Sequence, residues 1–349
     1  MIMRANLLVT RRYALGLLSA AAAAVASVTG PALGQTALKF SLDWKYEGTQ
    51  APFLLALEKG YFTAEGLDVT IDTAVSSVES IDRLGLGTYD MAFGDINLLL
   101  KFRDVNPQTP VQVVFMTYNK PAYAIITLKA SGIAAPRDLE GKRLGAPAAD
   151  SAFGQWPIFA HVNNIDTSKV TILNLGFPVR EPMLVSGHVD AITGLSFSSC
   201  INLQYSGVPR DSIVVLEMAD FGLGLYGNGI MVSPKFATEN PHTVKAFLRG
   251  YLKGLKDTVK DPATAVDSVL MRNKLVTKRL ELERLRMALQ DNILTPEVEA
   301  RGFGSVDMAR LDKAIEQTAL AYPFKSAKPK AQDIFNSSFL PPEAARRVD

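Results

Sequence analysis

Hydrophobic and polar positions alternate from Leu38 onward. Leu38, Phe40, Leu42 and Trp44 fall on one side, and Lys39, Ser41 and Asp43 on the other, the period of two expected of a strand with one buried face. From Thr49 to Lys59 the period changes. Phe53, Leu54, Leu57 and Tyr61 sit at helical spacing, and Gly60 suits a left-handed C-terminal cap. Glu65-Gly66 then turns into a second alternating run, Leu67 to Ile71. A strand, helix and strand of this length predict a right-handed parallel crossover. The loop between the first strand and its helix, Asp43 to Gln50, carries an aromatic, charges and amides where such a unit presents a binding edge.

The unit recurs in kind though not in sequence. Ser76 to Ser80 reads as a helix start, Tyr89 to Gly94 as a short buried strand, Asp95-Ile96-Asn97 as the cap of a helix, and Val111 to Thr117 as another strand. This predicts a doubly wound α/β lobe. A second lobe begins near Tyr123. Its strands are predicted at 124–128, 141–146, 170–174, 189–193 and 213–217, the last of them parallel, and Gly229 to Val232 returns antiparallel. After Asn240 the pattern is helical. Val244, Phe247, Leu248, Tyr251 and Leu255 form one stripe, and Leu280, Leu282, Leu285 and Leu289 mark the apolar side of a charged helix over 278–294. The expected division is residues 35–121 with 240–349 as one lobe and its C-terminal helices, and residues 122–239 as the other.

Composition narrows the class. Of 349 residues, 48% are apolar and 21% charged, enough for a packed core. Residues 1–34 hold Arg4, Arg11 and Arg12, no acid, and an Ala-rich apolar run ending in Ala32-Leu33-Gly34. That is the pattern of a cleaved export signal, and Arg11-Arg12 resembles the twin-arginine type. The remainder carries 34 basic and 35 acidic residues, which gives no long-range attraction to nucleic acid or anionic membrane. No cysteine follows the cleavage pattern, so no lipid anchor is expected, and no later run reaches the roughly 20 apolar residues of a span. The expectation is a soluble, periplasmic monomer. The single cysteine, Cys200, excludes an internal disulfide and a cysteine-based metal cluster.

The chain lacks phosphate-loop, dinucleotide, nucleophile-elbow and H-E-x-x-H motifs, and His161, His188 and His242 are far apart. No catalytic residue, metal site or cofactor is expected. What remains are aromatics, amides and hydroxyls at predicted strand ends. Trp44 suits stacking on a planar ligand. Gln50 presents an amide at the start of the first helix, and Ser77 a hydroxyl at the start of the next. Asp95 and Asn97 follow a strand ending at Gly94. Ser151 and Phe153 begin a helix in the second lobe, Thr193 ends a strand, and Tyr226 and Asn228 lie in a glycine-rich stretch expected to cross between lobes. Arg180, near a helix start, is a candidate for an anion.

Several runs in order carry a resemblance. Asp43-Trp44, Ala56, Gly60-Tyr61-Phe62 and Gly66-Leu67-Asp68-Val69 open it. Asp138-Leu139-Glu140-Gly141-Lys142, Leu184 to Ala191, Ile230 to Ser233 and Asn240 to Leu248 continue it. Together they resemble the NMT1/THI5-like solute-binding proteins of ABC importers. The resemblance implies a two-lobed periplasmic-binding-protein type II fold, each lobe a mixed, mostly parallel sheet flanked by helices, closing by hinge motion on a small molecule. It implies an ABC permease and ATPase as partners. Tyr46-Glu47 and Gln50 depart from the thiamine-pyrimidine branch, whose loop carries Pro-Asn and then His. The family binds pyrimidine precursors, sulfonates, nitrate or aromatic carboxylates, and here a planar N-heterocycle is expected. The enzymes on this fold, a pyrimidine synthase or a menaquinone-pathway lyase, are the alternative, as is a sensor subunit. The pyrimidine synthases need a cysteine-rich segment and an active-site His.

Overall fold

Two five-stranded sheets share one plan in the computed structural model, which describes residues 34–348. The leader expected over residues 1–34 lies outside the described residues except for Gly34. The first sheet contains β1 (Thr36–Ser41), β2 (Leu67–Asp72), β3 (Met91–Asp95) and β4 (Gln112–Met116). The second contains β5 (Tyr123–Leu128), β6 (Arg143–Ala146), β7 (Thr171–Asn174), β8 (Ala191–Leu195) and β9 (Ile213–Glu217). β10 (Asn228–Val232) returns to the first. The orders are β2-β1-β3-β10-β4 and β7-β6-β8-β5-β9. In each, the fourth strand runs against its neighbours: β10 is antiparallel to β3 and β4, and β5 to β8 and β9. The remaining pairs are parallel.

Two expectations are corrected by this topology. β9, expected as a parallel strand, runs with β6, β7 and β8, but its partner is β5 and the pairing is antiparallel, because β5 enters the second sheet in reverse from the crossing at 117–122. β10 is antiparallel as expected but belongs to the first sheet, so the return crossing, 218–227, precedes it, and the expected lobe boundary at residue 239 falls too late. All five residues of β10 are buried, and such a strand needs neighbours at both edges and cover on both faces. β3 is equally buried, while β2 keeps the alternation of a half-exposed strand.

Helices follow the parallel strands and start on acceptors that satisfy their free N–H groups. Ser76 caps Ser77–Gly85, Asp95 caps Ile96–Val105 and Asp150 caps Ser151–Gly154. The C-terminal helices cover the first lobe. In Pro241–Lys260 the predicted stripe Val244, Phe247, Leu248, Tyr251 and Leu255 is completely buried. Phe53 of the first helix, Ala51–Glu58, lies 4.3 Å from the Tyr251 ring and 5.0 Å from Phe40. Gly254 lets these helices touch, because a Cβ there would sit 2.4 Å from the Pro52 carbonyl oxygen.

The charged helix differs from its pattern. It runs Lys278–Ala288 and continues as a π-helical turn, Leu289–Ile293. Leu280, Leu285 and Leu289 are buried, but so are Glu281 and Arg284, while Leu282 is only partly covered. The helix is covered on more than one side: its leucines join the first lobe's core, and its polar side meets the second lobe's helix Ser196–Tyr205. Among the described residues no helix is long and apolar enough to cross a membrane.

Candidate functional site

The parallel strands of both sheets end at one cavity, with about 560 Å³ of space between atoms, part of it open to solvent. Asp43, Trp44, Glu47, Thr49 and Gln50 come from the loop after β1, Ser76 and Ser77 from the turn after β2, and Tyr118 from the first crossing. The second lobe contributes Ala149, Asp150 and Ser151 after β6, Phe177 and Arg180 after β7, and Leu195, Phe197 and Ser198 at the end of β8 and the helix it enters.

Two aromatics meet across the cleft. The Trp44 and Phe177 rings are 5.0 Å apart at 66°, an edge-to-face pair of one ring from each lobe. The Arg180 guanidinium lies over the Phe177 ring, 5.6 Å from its centroid. The indole N–H of Trp44 is buried without a hydrogen-bond partner, with the Glu47 carboxylate near it. The Tyr118 hydroxyl is likewise buried and unpaired, with Thr49 close by. Both groups present unused hydrogen-bonding capacity at the cavity wall.

The charged side chains of the lining are three acids and one arginine. Asp43 accepts hydrogen bonds from Ser77 Oγ at 3.1 Å and from Asn228 Nδ2, both at Oδ2. Burial pushes its carboxyl up to about 7 against the pull of these donors, and the nearby Asp95 adds to the rise. Asp150 accepts from the Thr193 hydroxyl at 2.6 Å, and its carboxyl is also raised by burial, though the Arg180 charge opposes this. Arg180 gives Nε and Nη2 to Glu181 Oε1, at 3.1 and 2.7 Å, and holds Nη1 3.8 Å from Asp150. Glu47 is raised by burial and pulled down by Arg284, whose Nη1 is 3.2 Å away. Among the described residues no group of His, Cys, Asp and Glu side chains is arranged to hold a metal ion.

Of the ten ligand-binding residues picked from sequence, Trp44, Gln50, Ser77 and Ser151 line the cavity together, and so does Arg180, the candidate for an anion. Gln50 lies with its amide against its own loop, 2.9 Å from the Thr49 hydroxyl, and is nearly inaccessible. The other six lie outside the lining. Asp95 is fully buried, caps its helix through the N–H groups of Asn97 and Leu98 at 2.7 and 2.9 Å, and accepts from the Tyr123 hydroxyl. Burial pushes it up to about 6. Asn97 donates to the Tyr123 hydroxyl and the Tyr226 carbonyl, 2.8 and 2.7 Å away. Phe153 is half-buried against a hydrophobic cluster that includes Leu99, Trp156 and Met218. Tyr226 donates to Glu297 at 2.6 Å under the Arg310 guanidinium. Thr193 and Asn228 stand behind the lining and hold Asp150 and Asp43. The return of β10 beside β3 explains the Asp95 group: it walls off that strand end from the cleft.

The sequence reading passed over Asp43, Glu47, Tyr118, Asp150 and Phe177. The first two lie inside the loop already singled out, and Asp150 adjoins Ser151. Phe177 follows a short exposed strand, where nothing marked it.

The profile of a known family matches residues 48–265, more than half of the chain, under the description "NMT1/THI5 like". The chain belongs to that family. Its relatives include the riboflavin-binding protein RibY of Chloroflexus aurantiacus, 27% identical over 300 residues, covering 83% of this chain and 82% of that protein. They also include the 4-amino-5-hydroxymethyl-2-methylpyrimidine phosphate synthase of Schizosaccharomyces pombe, 25% identical over 237 residues, 64% of this chain and 66% of that one, just short of two thirds of its length. In three dimensions this NMT1/THI5-like chain is similar to the alkanesulfonate-binding protein SsuA of Xanthomonas axonopodis pv. citri bound to MOPS. The TM-score is 0.67 at 14% identity, over 86% of this chain and 99% of that one, a likeness of fold. The two-lobed type II periplasmic-binding fold is thereby established for the family member described here.

Proposed function

We propose that this protein is the solute-binding component of an ABC importer and that its cargo is a small, planar nitrogen heterocycle. The observation that carries the reading is the cavity wall. A tryptophan from one lobe meets a phenylalanine from the other edge to face, a pair that a planar guest would part and stack upon, and Asp43 offers a carboxyl group held by two donors at Oδ2. A heterocycle edge with N–H groups complements Asp43, Glu47 and Asp150, and the unpaired Trp44 and Tyr118 donors suit its acceptor atoms. Capture requires no chemistry. A ligand that touches both lobes only when they meet shifts the population toward the closed form, which the permease reads.

The relative that synthesises a pyrimidine favours an enzyme on the same fold. Against this stands the lining, which contains neither His nor Cys. We place an export leader of twin-arginine type at residues 1–34, on the Arg11-Arg12 pair and the apolar run that follows it. The mature chain then works outside the cytoplasm as a monomer.

The test is a thermal-shift panel on purified mature protein with riboflavin, 4-amino-5-hydroxymethyl-2-methylpyrimidine, taurine and nitrate. A ligand at 100 times its Kd adds about 2.7 kcal/mol to stability. A shift with a heterocycle, and a recovered ligand of unchanged mass, supports the reading. A shift confined to taurine or nitrate, or conversion of the bound heterocycle, overturns it.

A further inference from the structure

Arg284 lies outside the cavity, yet it ties together both of its walls. Its guanidinium is 1% exposed. Nη1 is 3.2 Å from Glu47 Oε2 on the first lobe's binding loop, and the same nitrogen donates to the Ser198 carbonyl at 3.2 Å on the second lobe. Nη2 donates to Asn202 Oδ1 at 3.1 Å, and Nε to Glu281 Oε2 at 3.0 Å. Glu47 and Ser198 both line the cavity. Glu281 completes the set, accepting from the Gly48 N–H at 2.7 Å and from the Tyr205 hydroxyl at 3.2 Å.

The partners fall into two groups with different attachments. Leu285, Ala288 and Leu289 fix the 278–288 helix and its π-helical extension to the first lobe's hydrophobic core. Ser198, Asn202 and Tyr205 lie along one side of the 196–205 helix of the second lobe, at the spacing of four and three that brings residues onto one face. This face meets the 278–288 helix through polar contacts: Arg284 to Ser198 and Asn202, Tyr205 to Glu281, the Thr277 N–H to the Tyr205 hydroxyl at 2.8 Å, and Gln204 Nε2 to Glu283 at 2.9 Å. A polar seam has a property an apolar one lacks. Its charges are rehydrated when the lobes part, which limits the apolar surface that separation exposes to the few side chains crossing the seam, Phe197 and Met287 among them. Once the lobes are together, each missing partner leaves a buried charge unpaired, which is costly.

We propose that Arg284 is the positioning residue of the cleft. It holds Glu47 in the cavity wall and latches the 196–205 helix to the 278–288 helix, so that the pocket is assembled only in the closed form. The proposal rests on two lobes that open and close, and not on the identity of the cargo.

Inter-lobe distance tests it without a ligand. Val75 and Val179 are exposed, beside lining residues of opposite lobes. Spin labels on Val75→Cys and Val179→Cys report closure by pulsed electron resonance, the buried Cys200 being shielded from brief labelling. Three backgrounds are compared: otherwise native, Tyr205→Phe and Arg284→Met. Tyr205 is partly exposed, so its hydroxyl is removed with little risk to folding. The expected result is a short-distance population that falls at least two-fold in Tyr205→Phe at an unchanged melting temperature, and further in Arg284→Met. Equal short-distance populations in all three proteins overturn the proposal. So does an effect of Arg284→Met confined to melting temperature while Tyr205→Phe matches the parent, since that is the signature of a purely structural residue. If Arg284→Met fails to fold, Tyr205→Phe decides alone.

Discussion

Replacing Asp43 with asparagine separates what this residue does for the site from what it does to the fold. Asp43 is buried, and its carboxyl is pushed up to about 7 from an ordinary 3.8. Between these values the unfolded chain has lost a proton that the folded chain keeps. The unfolded state therefore binds fewer protons, and stability falls as pH rises through the window from about 4 to about 7. One pKa unit corresponds to about 1.36 kcal/mol, so a rise of about three units places the full cost near 4 kcal/mol above pH 7. At pH 4.5 the cost is only about 1 kcal/mol, because most of the window has not been crossed. Asparagine has the same shape, and its carbonyl accepts from Ser77 and Asn228 as Asp43 Oδ2 does.

The comparison to make is urea unfolding of both proteins, ligand-free, at pH 4.5, 6 and 8. The stability of Asp43→Asn relative to the parent is expected to rise by about 3 kcal/mol from pH 4.5 to pH 8 and to level off above pH 7.5. The contribution of Asp95, also raised, is present in both proteins and largely cancels, apart from its coupling to Asp43. Ligand affinity moves the opposite way, since the acceptor for an N–H edge is lost. A difference that stays constant with pH, or that favours the parent at pH 8, refutes the reasoning. A gain in stability with a loss of binding identifies Asp43 as a carboxylate kept at the expense of the fold.

Other changes probe the aromatic wall and the core. Trp44→Ala removes the ring that pairs with Phe177, and a heterocyclic ligand is expected to bind about ten-fold more weakly, from about 1.4 kcal/mol, by isothermal titration. Tyr118→Phe deletes a buried, unpaired hydroxyl, so the ligand-free protein is expected to gain up to about 1 kcal/mol in chemical unfolding while its ligand-induced stabilisation shrinks. Phe53→Ala empties a site packed by Phe40, Phe93 and Tyr251 and is expected to cost about 3–5 kcal/mol in the same assay, with little effect on ligand contacts.

Most elements were legible because the local signals agreed with the tertiary environment. Strand β2 alternates because one face is covered, and the stripe from Val244 to Leu255 is helical in period because one side meets the first lobe. The failures have a common cause, which is that topology is not a local property. Nothing in Asn228–Val232 states that it crosses back to the first sheet, and this return closes off Asp95 and Asn97 and turns Asn228 into a support for Asp43. The charged face of the 278–288 helix likewise looks solvated when the helix is read alone. Only the second lobe's helix, far away in sequence, gives Arg284 and Glu281 their burial. The binding loop was visible as a loop, but its working side chains were not distinguishable before its neighbours were placed.

The same limit applies to fold likeness as a guide to cargo. A structural neighbour of this fold holds MOPS, a sulfonate, yet an oxyanion placed in this cavity meets Asp43, Glu47 and Asp150. The one arginine among the described lining residues has Nε and Nη2 committed to Glu181, and Nη1 faces Asp150. Arg284, the nearest further cation to Glu47, is occupied by Glu47 and Glu281. An anion held by either arginine would have to displace a buried carboxylate, leaving it unpaired in a poorly solvated site, and the remaining cation near the cavity among the described residues, Lys45 over the Trp44 ring, is exposed to solvent. A neutral heterocycle of the kind proposed demands no such exchange, because its N–H edge uses acceptor capacity already present, and its ring would stack by parting Trp44 from Phe177, which touch edge to face in this structure. The charge a guest meets here is set by the loops after β1, β6 and β7, which carry Asp43, Glu47, Asp150 and Arg180, and likeness of fold does not fix it.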